Sequence, residues 1–299
     1  VVTFQFPYNQ LPVELNVVSE LDTLYGSPDR NTQRKFLVDQ GKILDTAKAH
    51  EMLLSYLDVL SSTDFSSLKY PPIIVLHAGG IIPGDLVNDQ NNNFVFKVIR
   101  KGLAINQLMY HNTLLDYVRE KNVLISLENI PIWDSISSEA SIENQWLTEQ
   151  AFEDFEDRLK LGGIHVIDLA HAAMDVAYFN QTSLKAISLE LIREEFGGVP
   201  KSLSSLENYI ITAAHLLKKN KNYPEIIYHL CDCNGLGFDN EGVQIGSNNS
   251  IINWKQIIGL IRSLTSDTYG AFEIQNGHRK ENYLTHIKVS LENFLSYCD

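Results

Sequence analysis

Short runs of β-branched and other apolar residues recur along the chain, separated by long stretches with helical periodicity. Most runs are nearly continuous in apolar residues, as is typical of parallel strands covered on both faces. Strands that alternate with helices predict βα units and a parallel sheet. The predicted strands lie at 2–6, 13–18, 72–77, 123–128, 164–168, 225–231 and 270–274. Beyond them, Ile287, Leu291 and Leu295 repeat at helical spacing and predict the buried face of a last helix.

A parallel sheet of this kind is either an open, doubly wound sheet or a closed (β/α)8 barrel. No G-x-G-x-x-G turn follows the first strand, and no P-loop occurs, so the usual marks of nucleotide-binding doubly wound folds are missing. We therefore predict a (β/α)8 TIM-type barrel, formed by a single domain over residues 1–299. Seven strands are evident, one fewer than a barrel needs, which leaves open a barrel that lacks or displaces its first strand. Either a strand lies upstream of Val1 or one escapes the pattern.

Five consecutive predicted strands end in an ionisable residue. These residues are His77, Glu128, Asp168, His229 and Glu273. In a barrel, the C-terminal ends of the strands form the site where catalytic residues gather. Any one of the five, taken alone, is equally well explained as a polar residue that caps the next helix. Two glutamates, an aspartate and a histidine in one buried cavity would repel one another without a cation. Three carboxylates and one imidazole suit Mn²⁺, Mg²⁺, Co²⁺ or Zn²⁺, so the pattern predicts one divalent metal ion.

Short motifs at these strand ends resemble those of a known superfamily. The motifs are "LHAGG", "SLEN", "IDLAH", "YHLCD", "IINW" and "FEIQ", in that order, between about residue 14 and about residue 275. They are similar to motifs of the xylose-isomerase-like TIM barrels, which include sugar phosphate isomerases and epimerases, ketose 3-epimerases and the endonuclease IV class. In the epimerase branch four successive strands supply Glu, Asp, His and Glu to one metal. The resemblance assigns these roles to Glu128, Asp168, His229 and Glu273, and gives His171 a contact with substrate.

The endonuclease branch holds three zinc ions, and the resemblance to it is incomplete. His77 and His171 match two further zinc ligands of that branch. An early histidine is missing, because Ser19 and Glu20 stand near its place. The later Asp-x-His motif is also missing, since no histidine follows Asp239 at that spacing. The sequence therefore favours one metal ion over three.

Other candidates lie close to the same strand ends. Asp232 matches the family's His-Leu-x-Asp pattern, where the aspartate organises the site without binding metal, and we count it with His77 and His171 as substrate-binding. Arg279 could hold a phosphate or carboxylate of the substrate, although a solvated loop charge explains it equally well. Cys231 and Cys233 could supplement a zinc site, but small core residues are the favoured interpretation.

The net charge and the cysteine content limit which binding partners and which cellular compartment we predict. The formal net charge is −13, which disfavours nucleic acid, because such binding depends on Lys and Arg that neutralise phosphates. An anionic membrane surface is disfavoured for the same reason. The chain has no run of about 18 apolar residues and no secretion signal. Three badly spaced cysteines suit a reducing compartment, so we predict a cytoplasmic protein, and a homo-oligomer stays open.

Together these observations predict a metal-dependent sugar or sugar phosphate isomerase or epimerase. Its substrate would be a small, sugar-like hydroxy-carbonyl compound, and Glu128 and Glu273 would exchange a proton with carbon as general base and acid. His77 and His171 would orient substrate oxygens. The alternatives are an endonuclease IV-like phosphodiester hydrolase and a non-catalytic barrel domain of a longer protein.

Overall fold

The computed structural model describes residues 3–5, 46–77, 80–83, 121–129, 146–149, 164–180, 201–217, 226–235, 242–264, 269–274 and 283–298. Within these ranges the strands are β1 (Thr3–Gln5), β2 (Ile73–His77), β3 (Gly80–Pro83), β4 (Leu124–Glu128), β5 (Trp146–Glu149), β6 (Ile164–Asp168), β7 (Ile226–Leu230) and β8 (Tyr269–Phe272). The helices are α1 (Thr46–Ser62), α2 (Leu169–Asn180), α3 (Leu206–Leu217), α4 (Trp254–Leu264) and α5 (Tyr283–Cys298), with a 3₁₀ turn at Lys201–Leu203.

Six strands form one parallel sheet in the order β1-β2-β4-β6-β7-β8. Each predicted strand in the described ranges is confirmed to within two residues, and the predicted strand at 13–18 lies outside them. Among the described strands the order follows the chain from one side of the sheet to the other, without the reversal that marks a doubly wound sheet. No pairing between β1 and β8 occurs among the described residues, so closure into a barrel stays a prediction.

A second, smaller sheet pairs β3 with β5 in antiparallel fashion. The sequence patterns missed both strands, because each has only four residues and neither is a continuous apolar run. β3 begins three residues after β2 ends, so this small sheet lies close in sequence to the strand end that carries His77.

The two faces of the large sheet are both apolar. One face carries a compact cluster of Ile73, Val75, Val166 and Ile227, all at most 1 % exposed. The opposite face packs against α2, α3 and α4 in the main core. Because side chains alternate along a strand, Asp168 shares the first face with Val166, and His229 shares it with Ile227. The first face therefore carries two of the predicted site residues, Asp168 and His229.

The pairing register of the parallel strands places their carboxyl ends side by side. His77 pairs with Glu128 across β2 and β4, and Asp168 pairs with His229 across β6 and β7. Glu273 follows the last residue of β8, and its N–H donates to the carbonyl of Leu230 at 3.3 Å. The carboxyl ends of these parallel strands thus lie next to one another at the same end of the sheet.

The last helix forms where the periodicity predicts it, but its buried face differs from the prediction. Ile287 packs against the main core, as do Phe294 and Tyr297. Leu291 and Leu295 are 42 % and 53 % exposed, so their predicted burial is wrong. No helix in the described ranges is both long and apolar enough to cross a membrane.

Candidate metal centre

Four of the five predicted strand-end residues come together at one point. Glu128, Asp168, His229 and Glu273 each offer one ligand atom, and all four atoms lie within 4.8 Å of one another. The Nδ1 atom of His229 is 2.9 Å from Oε1 of Glu128 and 2.6 Å from Oε2 of Glu273. Ligands held at roughly 2.0–2.6 Å from one cation lie at most about 5 Å apart. The spacing therefore fits a single metal ion.

The donor set also fits a cation in its burial and charge. Glu128 is fully buried, and Asp168 and His229 are at most 5 % exposed. The Glu273 side chain is 24 % exposed, so it forms the accessible side of the group. Three carboxylates in so little space carry more negative charge than one imidazolium balances. A divalent ion with a preference for oxygen and imidazole ligands would compensate that excess.

The Nδ1 atom of the His229 imidazole contacts two glutamates. Burial lowers the pKa of His229, but the attraction of the Glu128 carboxylate and the hydrogen bonds to Glu128 and Glu273 outweigh it and place the pKa well above 6.5. Burial is the largest influence on Glu273 and would raise its pKa, yet the close contact with His229 and the attraction of His229 and His171 together outweigh burial and lower the pKa. The close contact between the His229 imidazole and the two carboxylates contributes to both shifts and acts against burial in each.

Asp168 occupies a different electrostatic position in the same group. Burial raises its pKa to about 6, and repulsion from Glu128 and Glu273 adds to this, while His171 and His229 act in the opposite direction. The Asp168 carboxylate also caps helix α2, because the N–H of His171 donates to Oδ1 at 2.7 Å. The capping role and the ligand position are therefore compatible in one residue.

His171 lies at the edge of the four-ligand group. Its Nδ1 atom donates to the carbonyl oxygen of Asn129 at 2.8 Å, since a carbonyl can only accept. The same atom is 3.8 Å from Oδ1 of Asp168 and 3.9 Å from Oε1 of Glu128. Because Nδ1 carries the hydrogen, Nε2 of the neutral ring is the atom suited to accept a hydrogen bond or to bind an ion.

Asn129 is a residue of the site that the sequence patterns missed. Its amide Nδ2 donates to the carbonyl of Asp168 at 3.1 Å, and its Oδ1 accepts from the Asp168 N–H at 2.7 Å. This side chain, only 1 % exposed, thus continues the ladder between β4 and β6 beyond their last paired residues. A buried Asn directly after the strand-final Glu128 was the available signal, because a buried amide needs partners.

Asp232 is fully buried just beyond β7, and its carboxylate is saturated by protein donors. Oδ1 accepts from the Cys233 N–H and the Ser250 hydroxyl, and Oδ2 accepts from the Gly246 N–H and the Trp254 indole N–H, at 2.6–2.9 Å. A carboxylate offers about four acceptor positions, so these donors fill them all. These four hydrogen bonds join the 242–254 segment to the end of β7, and the predicted substrate-binding role of Asp232 stays a prediction.

The remaining predicted residues are placed only in part. His77 ends β2 in register with Glu128, but its side chain lies outside the described residues, as do Arg279, Ser19, Glu20 and Asp239. The two neighbouring thiols are buried and have different partners. Cys231 donates to Oδ2 of Asp168 at 3.3 Å, and Cys233 donates to the Ala170 carbonyl at 3.7 Å. Neither thiol belongs to the four-ligand group.

Comparison of the chain with known proteins finds no related protein. The chain matches no protein-family model, no curated protein and no solved structure. The resemblance to the xylose-isomerase-like barrels therefore depends on the short motifs and on the residues that they place at the strand ends.

Proposed function

We propose that the chain is a divalent-metal-dependent isomerase or epimerase that acts on a small hydroxy-carbonyl compound, such as a sugar or sugar phosphate. The observation that carries the proposal is the buried group of two glutamates, one aspartate and one histidine, whose ligand atoms all lie within 4.8 Å of one another. A divalent ion held there would polarise the substrate carbonyl and so acidify the adjacent C–H.

The exposure and contacts of the four residues favour a different role for each in proton exchange and metal binding. Glu273 is the accessible carboxylate, at 24 % exposed, and is suited to exchange a proton with a substrate carbon. Glu128 is fully buried, contacts the same Nδ1 atom of His229, and is the second candidate for proton exchange. Asp168 and His229 complete the ligand set. His171 is positioned to orient a substrate oxygen through Nε2, because Asn129 holds its Nδ1.

One observation favours the alternative of a phosphodiester hydrolase. The His171 ring lies beside two proposed ligands, since its Nδ1 atom is less than 4 Å from an oxygen of each, and its Nε2 atom could bind a second ion. The net charge of −13 weighs against a nucleic-acid substrate. We therefore rank the hydrolase second.

Exchange of a carbon-bound hydrogen distinguishes these functions. The protein is incubated with Mn²⁺ and a panel of ketoses, ketose phosphates and hydroxy-carbonyl acids in deuterated water. We expect deuterium to enter at the carbon next to the carbonyl of at least one panel member. In Glu273→Gln this rate should fall by roughly 10²–10⁴-fold, because an amide cannot accept and return a proton at neutral pH.

The matched control is Glu292→Gln, which changes a glutamate that is 61 % exposed on α5 and should leave the exchange rate unchanged. Cleavage of an abasic-site duplex without deuterium incorporation into any panel member would support the hydrolase and reject the isomerase.

A further inference from the structure

The carboxylate of Asp168 is held at both of its oxygens. Oδ1 accepts from the backbone N–H of His171 at 2.7 Å, and Oδ2 accepts from the thiol of Cys231 at 3.3 Å. The backbone of Asp168 is held as well, by the two hydrogen bonds of the Asn129 amide. Rotation of the carboxylate about its Cβ–Cγ bond would break both contacts to its oxygens, so its plane is fixed before any ligand binds.

Each carboxylate oxygen has two acceptor positions, and one hydrogen bond on each leaves a second position on each. A donor on Oδ2 therefore orients Asp168 and still permits it to bind a cation. The thiol is suited to this place because Cys231 is 2 % exposed and its remaining surface lies in the main core. Outer partners of this kind orient the ligands of metal centres and tune their affinity.

We propose that Cys231 is a positioning residue of the metal centre, whose thiol holds Oδ2 of Asp168 in the orientation that binds the cation. This inference rests on the proposed metal centre. It concerns a residue outside the ligand group, and it predicts that the affinity for the metal depends on a donor at position 231.

Cys233 provides a matched comparison within the same segment. It is also a buried thiol in the main core, two residues further along the chain. Its Sγ donates to the backbone carbonyl of Ala170 at 3.7 Å. Loss of the Cys231 thiol removes a hydrogen bond to the Asp168 carboxylate, whereas loss of the Cys233 thiol removes a hydrogen bond to the Ala170 backbone.

The experiment measures Mn²⁺ and Co²⁺ binding to the full chain and to the variants Cys231→Ala, Cys231→Ser and Cys233→Ala. We expect Cys231→Ala to weaken the affinity for Mn²⁺ by roughly 10–100-fold. Cys231→Ser keeps a donor and should restore most of that loss. Cys233→Ala should bind Mn²⁺ as the wild type does. The visible spectrum of bound Co²⁺ should change in Cys231→Ala and stay unchanged in Cys233→Ala, which a general loss of stability would not produce.

Should Cys231→Ala fail to fold, Cys231→Val fills the space without a donor and takes its place. A wild type that binds one ion, together with a Cys231→Ala or Cys231→Val variant of equal affinity, would overturn the inference and leave the metal centre intact. An equal loss of affinity in Cys233→Ala would also overturn it. A wild type that binds neither Mn²⁺ nor Co²⁺ would overturn both the inference and the proposed function.

Discussion

Asp168 and Asp232 are both buried aspartates at the ends of neighbouring strands, yet their surroundings differ. Asp232 accepts four hydrogen bonds from the backbone and from Ser250 and Trp254, which fill its acceptor positions. Asp168 accepts one strong and one weak hydrogen bond, and it lies beside two glutamates. Burial raises the pKa of both carboxyl groups. A carboxylate saturated by protein donors holds a fold together, whereas one with few donors among other carboxylates is suited to bind a cation.

The largest expected difference between the two aspartates is in metal binding. Asp168→Asn removes a charged ligand oxygen, so the affinity for Mn²⁺ should fall by more than the roughly 10–100-fold that is typical of outer-shell changes. Titration calorimetry with Mn²⁺ measures this loss. The control is Asp58→Asn, at an aspartate that is 56 % exposed on α1 and should have no effect on binding. Unchanged Mn²⁺ affinity in Asp168→Asn would remove the distinction between the two carboxylates.

The second difference is in stability. Asp232→Asn turns an amide N–H toward two of the four donors that the carboxylate serves. Two unsatisfied buried donors, at roughly 1–3 kcal/mol each, should lower the free energy of unfolding by about 2–6 kcal/mol. Urea denaturation in the presence of a chelator gives the value. Asp168→Asn in the same assay should cost much less, because it also removes repulsion from Glu128 and Glu273. Equal losses in both variants would contradict the comparison.

The pKa of Asp168 makes its contribution to stability depend on pH. Burial raises this pKa from 3.8 to about 6, so the folded state binds the proton more tightly than the unfolded state does. The contribution is therefore fully present below about pH 4 and is lost as pH rises to about 6. In chelator, the unfolding free energy of the wild type minus that of Asp168→Asn should fall across this window. Excess Mn²⁺ should reverse the slope, because the deprotonated carboxylate binds the ion.

A flat difference between pH 4 and pH 6 in chelator would mean that Asp168 is no more perturbed than an exposed aspartate. It would also remove the electrostatic argument for a cation at this position.

The smallest expected effect on stability comes from loss of one of the four hydrogen bonds that Asp232 accepts. The Ser250 hydroxyl donates to Oδ1 of Asp232 at 2.6 Å, and three other donors remain when it is removed. Ser250→Ala should lower the free energy of unfolding by about 1 kcal/mol. Its Mn²⁺ affinity should equal that of the wild type. A loss of Mn²⁺ affinity in Ser250→Ala would show that the hydrogen bonds of Asp232 and the metal centre are coupled.

The strands of the large sheet could be predicted because burial on both faces leaves a continuous apolar run in the sequence. β2, β4 and β6 each begin and end within one residue of their predicted bounds. The buried face of α5 could not be predicted in this way. Aromatic residues such as Phe294 and Tyr297 compete with Leu291 and Leu295 for the core, and periodicity does not decide between two apolar faces.

The site could be predicted as far as strand ends determine it. Glu128, Asp168 and His229 lie in or at the end of paired parallel strands, so their convergence follows from their position in the sequence. The role of Asp232 does not follow in the same way, because its donors lie up to 22 residues further along the chain. Asn129 was missed for a similar reason, since its partner Asp168 lies 39 residues away. Long-range hydrogen bonds of loop residues leave no periodic pattern.

We propose above all that Glu128, Asp168, His229 and Glu273 bind one divalent cation. The most direct measurement is the metal content of the purified protein by elemental analysis, after loading with Mn²⁺ and removal of excess ion, for the wild type, Asp168→Asn and Asp232→Asn. We predict one bound ion per chain in the wild type and in Asp232→Asn, and almost none in Asp168→Asn. A wild type without bound metal, or an Asp168→Asn variant that retains the full amount, would contradict it.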